Sequence, residues 1–332
     1  MAENSSTRLR KELRRSGLSS AAIDAAWPAW WNDDLSESPS ARAELRFALA
    51  RKLGLAPKPL LGERVEFVWK DKARFKHLGA ETEADQLVLS SFAMSVGRLL
   101  TRTVPAGRGF RDIAAEELRS SILRSSQYVD LRTLAGACWG LAVPVVHLRV
   151  FPLAVKAMHA MVIADGNIGA IMLGRDASYP APLAFTLAHE IGHLALGHVR
   201  PGNALVDVED PALANDRDEE EQEADAYALT LLTGSPKPEI TTEFEKYNAP
   251  TLASAVVRAG AQHRIEPGTL ALCIGHLQRN WPVVMSALGF IYPQPVAVWK
   301  AVNALARTQI DWSALMEDDR DFVYALLNLD DV

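Results

Sequence analysis

Two histidines four residues apart constrain this chain more than any other feature. They lie in the run His189-Glu190-Ile191-Gly192-His193. On a helix, residues four apart share one face, one turn above the other. Both imidazoles can therefore reach one metal ion, with the intervening glutamate beside the water that the ion activates. The spacing predicts a metal centre on a helix.

The residues around this run favour a helix that is buried on one side. An apolar stripe at helical spacing lies roughly opposite the histidines and consists of Leu183, Leu187, Ile191 and Leu194. Pro180 and Pro182 stand at the predicted helix start, where proline is well tolerated. The alternative interpretation is an ordinary amphipathic helix that carries two histidines on its surface.

Composition predicts a folded protein with a sizeable core. Of its 332 residues, 48% are hydrophobic, which excludes wholesale disorder and leaves room for two or three modules. The net charge of −6 is unevenly placed, because residues 1–80 hold 15 Lys and Arg against 10 Asp and Glu. This asymmetry suggests different partners for the two ends of the chain.

We expect a soluble protein in a reducing compartment. Cys138 and Cys273 lie far apart in the sequence and in apolar surroundings, which predicts two core residues and no disulfide bond between them. The polar N-terminus shows no signal peptide. The charge-free stretch 281–299 contains three prolines, which argues against a membrane span. We therefore expect a cytoplasmic protein without membrane contact.

Between the first helices and the histidine helix, the pattern predicts three helices and then a small sheet. The helices are expected over 81–102, 111–125 and 129–139, and a strand over 143–150. Two β-rich runs, 157–164 and 168–173, flank Asp165-Gly166-Asn167, a good hairpin turn. We expect a three-stranded sheet, with the edge of 168–173 exposed to receive an extended peptide.

A third ligand must come from elsewhere in the chain, because a catalytic zinc takes three protein ligands and keeps one position open. The pattern with a third histidine downstream requires Gly at 196 and His at 199, where this chain has Leu196 and Val199. His198 is out of register, and we expect it to cap the helix end or to face solvent.

A later helix, predicted over 218–232 after an acidic loop, offers carboxylates. Glu221 and Asp225 lie one turn apart, so Asp225 can stand behind the site and accept the free N–H of a ligating histidine. Glu223 points away from Glu221, and only one of the two can face the metal. Glu221 is the preferred third ligand and Glu223 the alternative.

Both motifs together resemble a known family. Residues 185–194, followed by Glu221-x-x-Ala-Asp-x-Tyr-Ala-x-x-Leu-Leu, are similar to the ImmA/IrrE family of metallopeptidases. The resemblance implies zinc, with manganese as an alternative, bound by His189, His193 and Glu221. It also implies that Glu190 is the catalytic base and that the substrate is a helix-turn-helix repressor in a stress or mobile-element response.

The N-terminal helices are expected over 7–16, 19–31 and 40–53. The last of these resembles the closing helix of a lambda-repressor-type helix-turn-helix domain. A basic run could meet DNA phosphates and consists of Arg8, Arg10, Lys11, Arg14 and Arg15. Docking to another protein is the alternative role for residues 1–60.

The predicted class is α+β and mostly helical, with a zincin-like core. We divide the chain into a helix-turn-helix-like module (1–62), a connecting segment (63–80), a metallopeptidase domain (81–238) and a C-terminal helical region (239–332).

Three functions remain open from sequence alone. The first is a zinc endopeptidase that cuts a protein substrate. The second is a transcriptional regulator that senses a metal or ligand without cutting, although the intact Glu190 argues against it. The third is a purely structural zinc protein.

Overall fold

The structure is a computed structural model that describes residues 5–62, 64–69, 73–76, 82–154, 158–166, 168–207, 218–240, 247–294 and 297–332. It is a mostly helical α+β fold, as predicted. The N-terminal helices are α1 (Ser5–Arg15), α2 (Ser20–Ala26), α3 (Pro39–Leu53) and α4 (Pro57–Leu61). The central helices are α5 (Glu83–Thr101), α6 (Ala115–Leu123), α7 (Leu131–Gly140), α8 (Pro180–Leu196) and α9 (Glu219–Thr233). The C-terminal helices are α10 (Ala249–His263), α11 (Pro267–Gln278), α12 (Trp281–Ile291), α13 (Val298–Gln309) and α14 (Glu317–Leu327).

The sheet has five strands, so the prediction of three was wrong. The strands are β1 (Ala73–Lys76), β2 (Val145–His147), β3 (Ala160–Asp165), β4 (Ile168–Leu173) and β5 (Asn203–Asp207), in the order β1-β5-β3-β4-β2. β1 lies in the predicted connecting segment and β5 in the predicted acidic loop. Both are short, and pairing with distant strands forms them where local composition does not predict a strand.

The predicted docking edge along 168–173 is wrong for the second half of the strand. β4 pairs antiparallel with β3 along its whole length, and its second half pairs parallel with β2. Residues 171–173 therefore have a partner strand on both sides, and an added peptide could pair there only by displacing one of them.

A side chain from α13 covers the outer side of β2. The Asn303 amide accepts the backbone N–H of His147 at 2.8 Å and donates to its carbonyl at 2.8 Å. The same amide donates to the carbonyl of Leu327, the last residue of α14, at 2.8 Å. Asn303 thus makes the two hydrogen bonds that a neighbouring strand would make.

Two hydrophobic cores lie on opposite faces of the sheet. Successive residues of β3 alternate between them: Met161 and Ile163 join the first core, and Ala160 and Val162 join the second. The first core contains the N-terminal helices, α5 and α14, and the second contains α6 to α9. A further cluster within the described residues joins α10, α11 and α12. None of the described helices is long and apolar enough to cross a membrane.

The junction between α3 and α5 leads to a stability prediction. Gly54 ends α3 at φ +68°, and a Cβ there would lie 2.5 Å from the Ser91 carbonyl oxygen of α5. Gly54→Ala should lower the free energy of unfolding by about 2 kcal/mol or more, because it adds left-handed backbone strain to a clash with the backbone. Chemical denaturation measures this. The control, Gly136→Ala, adds a Cβ with no neighbour within 4 Å inside α7, and it should leave stability unchanged or raise it. Equal losses in both variants would contradict the expected tight junction.

Candidate metal centre

The helix that carries both histidines is α8, and local sequence sets its limits. Pro180 and Pro182 lie in its first turn, and Gly197 ends it in the left-handed conformation at φ +75°. His189 and His193 are fully buried, and their Nε2 atoms lie 3.0 Å apart. The structure thus places the two imidazoles side by side, as the spacing predicted.

Helix α9 brings Glu221 to the two histidines. The Asp218 side chain caps α9 by accepting the Glu221 N–H at 3.0 Å. The two carboxylate oxygens of Glu221 lie 3.3 Å from His189 Nε2 and 3.4 Å from His193 Nε2. Glu221 is 2% exposed. One carboxylate therefore faces both rings.

The close crossing of α8 and α9 depends on Gly192. A Cβ on this residue would lie 3.1 Å from the Ala224 carbonyl oxygen and 3.2 Å from the Tyr227 Cβ. A larger side chain would push the helices apart, so this glycine sets the distance between the histidines and Glu221.

Asp225 lies behind His189, where the helical phase had predicted it. Its Oδ1 is 3.0 Å from His189 Nδ1. An N–H donated from Nδ1 to this carboxylate leaves Nε2 as the lone-pair nitrogen that faces the cluster. Asp225 therefore sets both the tautomer and the orientation of this ring.

Of the two alternatives expected for His198, the structure confirms the cap and not the solvent-facing side chain: its backbone N–H donates to the His193 carbonyl at 3.0 Å at the end of α8. His198 is 9% exposed, and its Nδ1 lies 2.9 Å from His193 Nδ1. The left-handed turn at Gly197 reverses the chain and folds His198 back against α8. Its Nε2 is 3.0 Å from a carboxylate oxygen of Glu223, whose side chain is 54% exposed. His198 thus supports His193 as Asp225 supports His189, and Glu223 lies one residue further back.

Asp207, at the end of β5, also belongs to the cluster, although neither sequence motif predicts it. It is 1% exposed, and its Oδ2 lies 3.8 Å from His189 Nε2. Candidate ligand atoms of His189, His193, Asp207 and Glu221 all lie within 4.8 Å of one another. The short apolar run before Asp207 could have predicted a strand there. Its position next to α8, however, follows only from the pairing of that strand in the sheet.

Burial sets the electrostatics of the centre. Glu190 is 1% exposed, and burial together with the neighbouring Asp207 raises the pKa of its carboxyl group well above the usual range. Burial and the adjacent His189 hold the pKa of His193 well below its usual value. Lys76 of β1 reaches Glu221 at 3.5 Å, where it also contacts Asp218 and Glu220.

The donor set fits a divalent metal. Imidazole nitrogens and carboxylate oxygens are typical zinc ligands, and tetrahedral bonds of about 2.0–2.2 Å place neighbouring donors about 3.3–3.6 Å apart. The separations of 3.0–3.8 Å around His189 Nε2 bracket that range. The buried carboxylates of Glu190, Asp207 and Glu221 are also costly to ionise without a positive charge nearby, and a divalent metal would supply one. The buried cluster could therefore bind a metal.

Comparison with known proteins relates this part of the chain to a family of peptidases. Residues 178–278 match the model of the Peptidase U49 family. This segment contains α8, β5 and α9, and therefore all four residues of the buried cluster. Comparisons with curated proteins and with solved structures gave no match. The family-model match supports a peptidase family, related to the ImmA/IrrE family, for the segment that carries the candidate metal centre.

Proposed function

We propose that the protein is a metal-dependent endopeptidase that cleaves another protein. His189, His193 and Glu221 would hold the metal, most suitably zinc, with manganese as an alternative. The observation that carries the proposal is the convergence of these side chains, with Glu190 on the same helix. The match of residues 178–278 to a peptidase family supports peptide hydrolysis as the reaction.

Glu190 would act as the general base and acid. When bound, the metal supplies Lewis-acid chemistry, polarising the scissile carbonyl and making water a nucleophile near neutral pH. Glu190 accepts a proton from water while the water oxygen attacks the carbonyl carbon. It then delivers that proton to the amide nitrogen as the C–N bond breaks, which yields a carboxylate and an amine. Its Oε1 is buried and has no hydrogen-bond partner in the described parts of the chain, so it is available for this proton.

Asp225 and His198 would position the ligands without touching substrate. Each contacts Nδ1 of one ligating histidine, at 3.0 and 2.9 Å respectively. Such partners fix ring orientation, and their loss typically costs about 10–100-fold in metal affinity or activity.

We also propose a helix-turn-helix repressor as the substrate and a stress or mobile-element response as the setting. The support is the resemblance to the ImmA/IrrE family. In this proposal residues 1–60 choose the partner, and the protein works in the cytoplasm. These helices share a core with α5, so surface substitutions test their role better than truncation.

Duplex DNA is the alternative partner of residues 1–60. Arg10 is paired with Asp24 and lies 3.9 Å from the centre of a Trp27 ring. Arg14 and Arg15 are both exposed on α1, although Arg15 also contacts Glu12 at 2.6 Å. If DNA binds here, the double variant Arg14→Ala/Arg15→Ala should bind it more weakly. The slope of log affinity against log salt concentration should also decrease by the amount expected for about two phosphate contacts. Titration across salt concentrations measures this, with exposed Arg132→Ala as the control. Absence of binding to any duplex at low salt would leave protein docking.

Substrate capture tests the peptidase directly. The Glu190→Gln protein should retain a bound target that the wild-type protein cuts, and mass spectrometry of the captured protein identifies it. Incubating that protein with wild-type enzyme and added zinc or manganese should then give two fragments. Capture without cleavage by the wild type would contradict the proposal.

A non-cleaving metal-sensing regulator is the second candidate. One observation favours it: the four cluster residues are each 2% exposed or less, as in a centre sealed from solvent. Such a sensor does not need Glu190. Equal biological effects of wild type and Glu190→Gln, with no fragment from any candidate, would support this second function.

A further inference from the structure

The buried cluster contains one more ligand than a catalytic metal requires. We propose that Asp207 binds the metal as a fourth protein ligand, beside His189, His193 and Glu221, so that the centre is closed in the conformation described here. This inference rests on the proposed metal-dependent peptidase and adds a latent state to it.

The backbone on both sides fixes the position of Asp207. It is the last residue of β5 and lies opposite Lys76 of β1 and Ala160 of β3. Its carbonyl oxygen accepts the His159 N–H at 2.7 Å. Because both sides of the strand are paired, the Asp207 backbone is fixed and its carboxylate lies next to His189 of α8.

The distances suit a tetrahedral ion. Asp207 Oδ2 lies 3.8 Å from His189 Nε2, only a few tenths of an ångström beyond the separation of about 3.3–3.6 Å between donors on one zinc ion. Glu221 already meets that separation, at 3.3 and 3.4 Å from the two histidines. All four ligand atoms lie within 4.8 Å of one another, so a movement of the Asp207 carboxylate on the order of 1 Å would bring it to bonding distance of a shared ion.

Charge favours the same arrangement. Glu190, Asp207 and Glu221 are each 2% exposed or less, and buried carboxylates are costly unless they are protonated, paired or metal-bound. Lys76 reaches Glu221 at 3.5 Å. A divalent ion bound by Asp207 and Glu221 would offset both charges and leave Glu190 as the carboxyl group outside the ligand set.

A closed set of ligands has a functional consequence. Four protein ligands are typical of structural zinc sites, whereas catalytic sites keep one position open. The Asp207 carboxylate would have to leave before a substrate carbonyl oxygen could take its place. The closed state is therefore latent, and rotation of the Asp207 side chain away from the metal would open it.

Cobalt spectroscopy on the full-length protein tests this ligand. We compare wild type, Asp207→Ala and Asp207→Asn, each loaded with Co²⁺, and add azide as a small competing ligand. The matched control is Asp165→Asn, which removes a carboxylate from the other end of β3, outside the cluster. We expect azide to leave the wild-type and control spectra unchanged and to alter those of both Asp207 variants. Metal affinity of the variants should fall by at least about tenfold.

Each result decides a different point. A wild-type Co²⁺ spectrum that responds to azide would overturn the closed centre without any variant. Folded Asp207→Asn or Asp207→Ala protein with wild-type spectrum and affinity would overturn the ligand assignment. If the wild-type protein binds neither Co²⁺ nor Zn²⁺, the proposed metal-dependent function itself fails.

Discussion

Cleavage of the protein substrate should fall about 10²–10⁴-fold in Glu190→Gln, the typical contribution of general acid–base catalysis, while metal content stays the same. Glutamine preserves the size of the side chain and much of its hydrogen bonding, but it cannot accept the proton of the attacking water. Glu190 follows His189 directly, about 100° round the helix, so it flanks the ligand face of α8 and does not occupy it. The rate of fragment formation, elemental analysis and thermal melting together measure these effects.

The matched control for this prediction is Glu220→Gln. Glu220 is a partly exposed carboxylate that contacts Arg74 and Lys76 and lies outside the four-residue cluster. It should cut at close to the wild-type rate. Fragment formation by Glu190→Gln at the wild-type rate would exclude Glu190 as the base.

Glu221→Ala should abolish stoichiometric metal binding, and Glu223→Ala should not. Glu221 is buried and within 3.4 Å of both histidines, whereas Glu223 is 54% exposed and reaches the centre only through His198. Loss of Glu223 removes a distant support, for which a decrease of about tenfold in affinity is the expected scale. Elemental analysis and competition with a chelator of known affinity measure both variants.

His189→Ala provides the positive control for metal loss. The opposite pattern, with metal lost from Glu223→Ala and kept by Glu221→Ala, would transfer the ligand role to Glu223. Equal metal content in wild type and His189→Ala would end the metal interpretation for this cluster altogether.

The sequence predicted the parts of the site that local chemistry determines. The i, i+4 spacing of His189 and His193, the prolines at the start of α8 and the helical phase of Glu221 and Asp225 all act within one or two helical turns. The structure brings these four residues together. Whether they bind a metal stays a prediction.

The parts that were missed depend on strand pairing and on the path of the chain after the motif. Asp207 reaches the cluster because β5 pairs with β1 and β3, and that pairing is invisible in a five-residue run. His198 was expected to cap the helix end or to face solvent; its backbone does cap α8, but the turn at Gly197 also returns its ring to that of His193. Asp207 is thus placed by the sheet, although its own neighbours in sequence carry no metal-site pattern, whereas His198 is placed by a single turn directly after the motif.

The Asn303 amide on the outer side of β2 has a consequence for self-association. An uncovered strand at the border of a sheet offers its N–H and C=O groups to strands of other molecules, which is a route to aggregation. By engaging both groups of His147, Asn303 removes the docking points at the last residue of this three-residue border strand. Asn303 covers this border strand only after α13 has docked. Molecules that are still folding and in which α13 has not yet docked are therefore the most prone to pair with strands of other molecules.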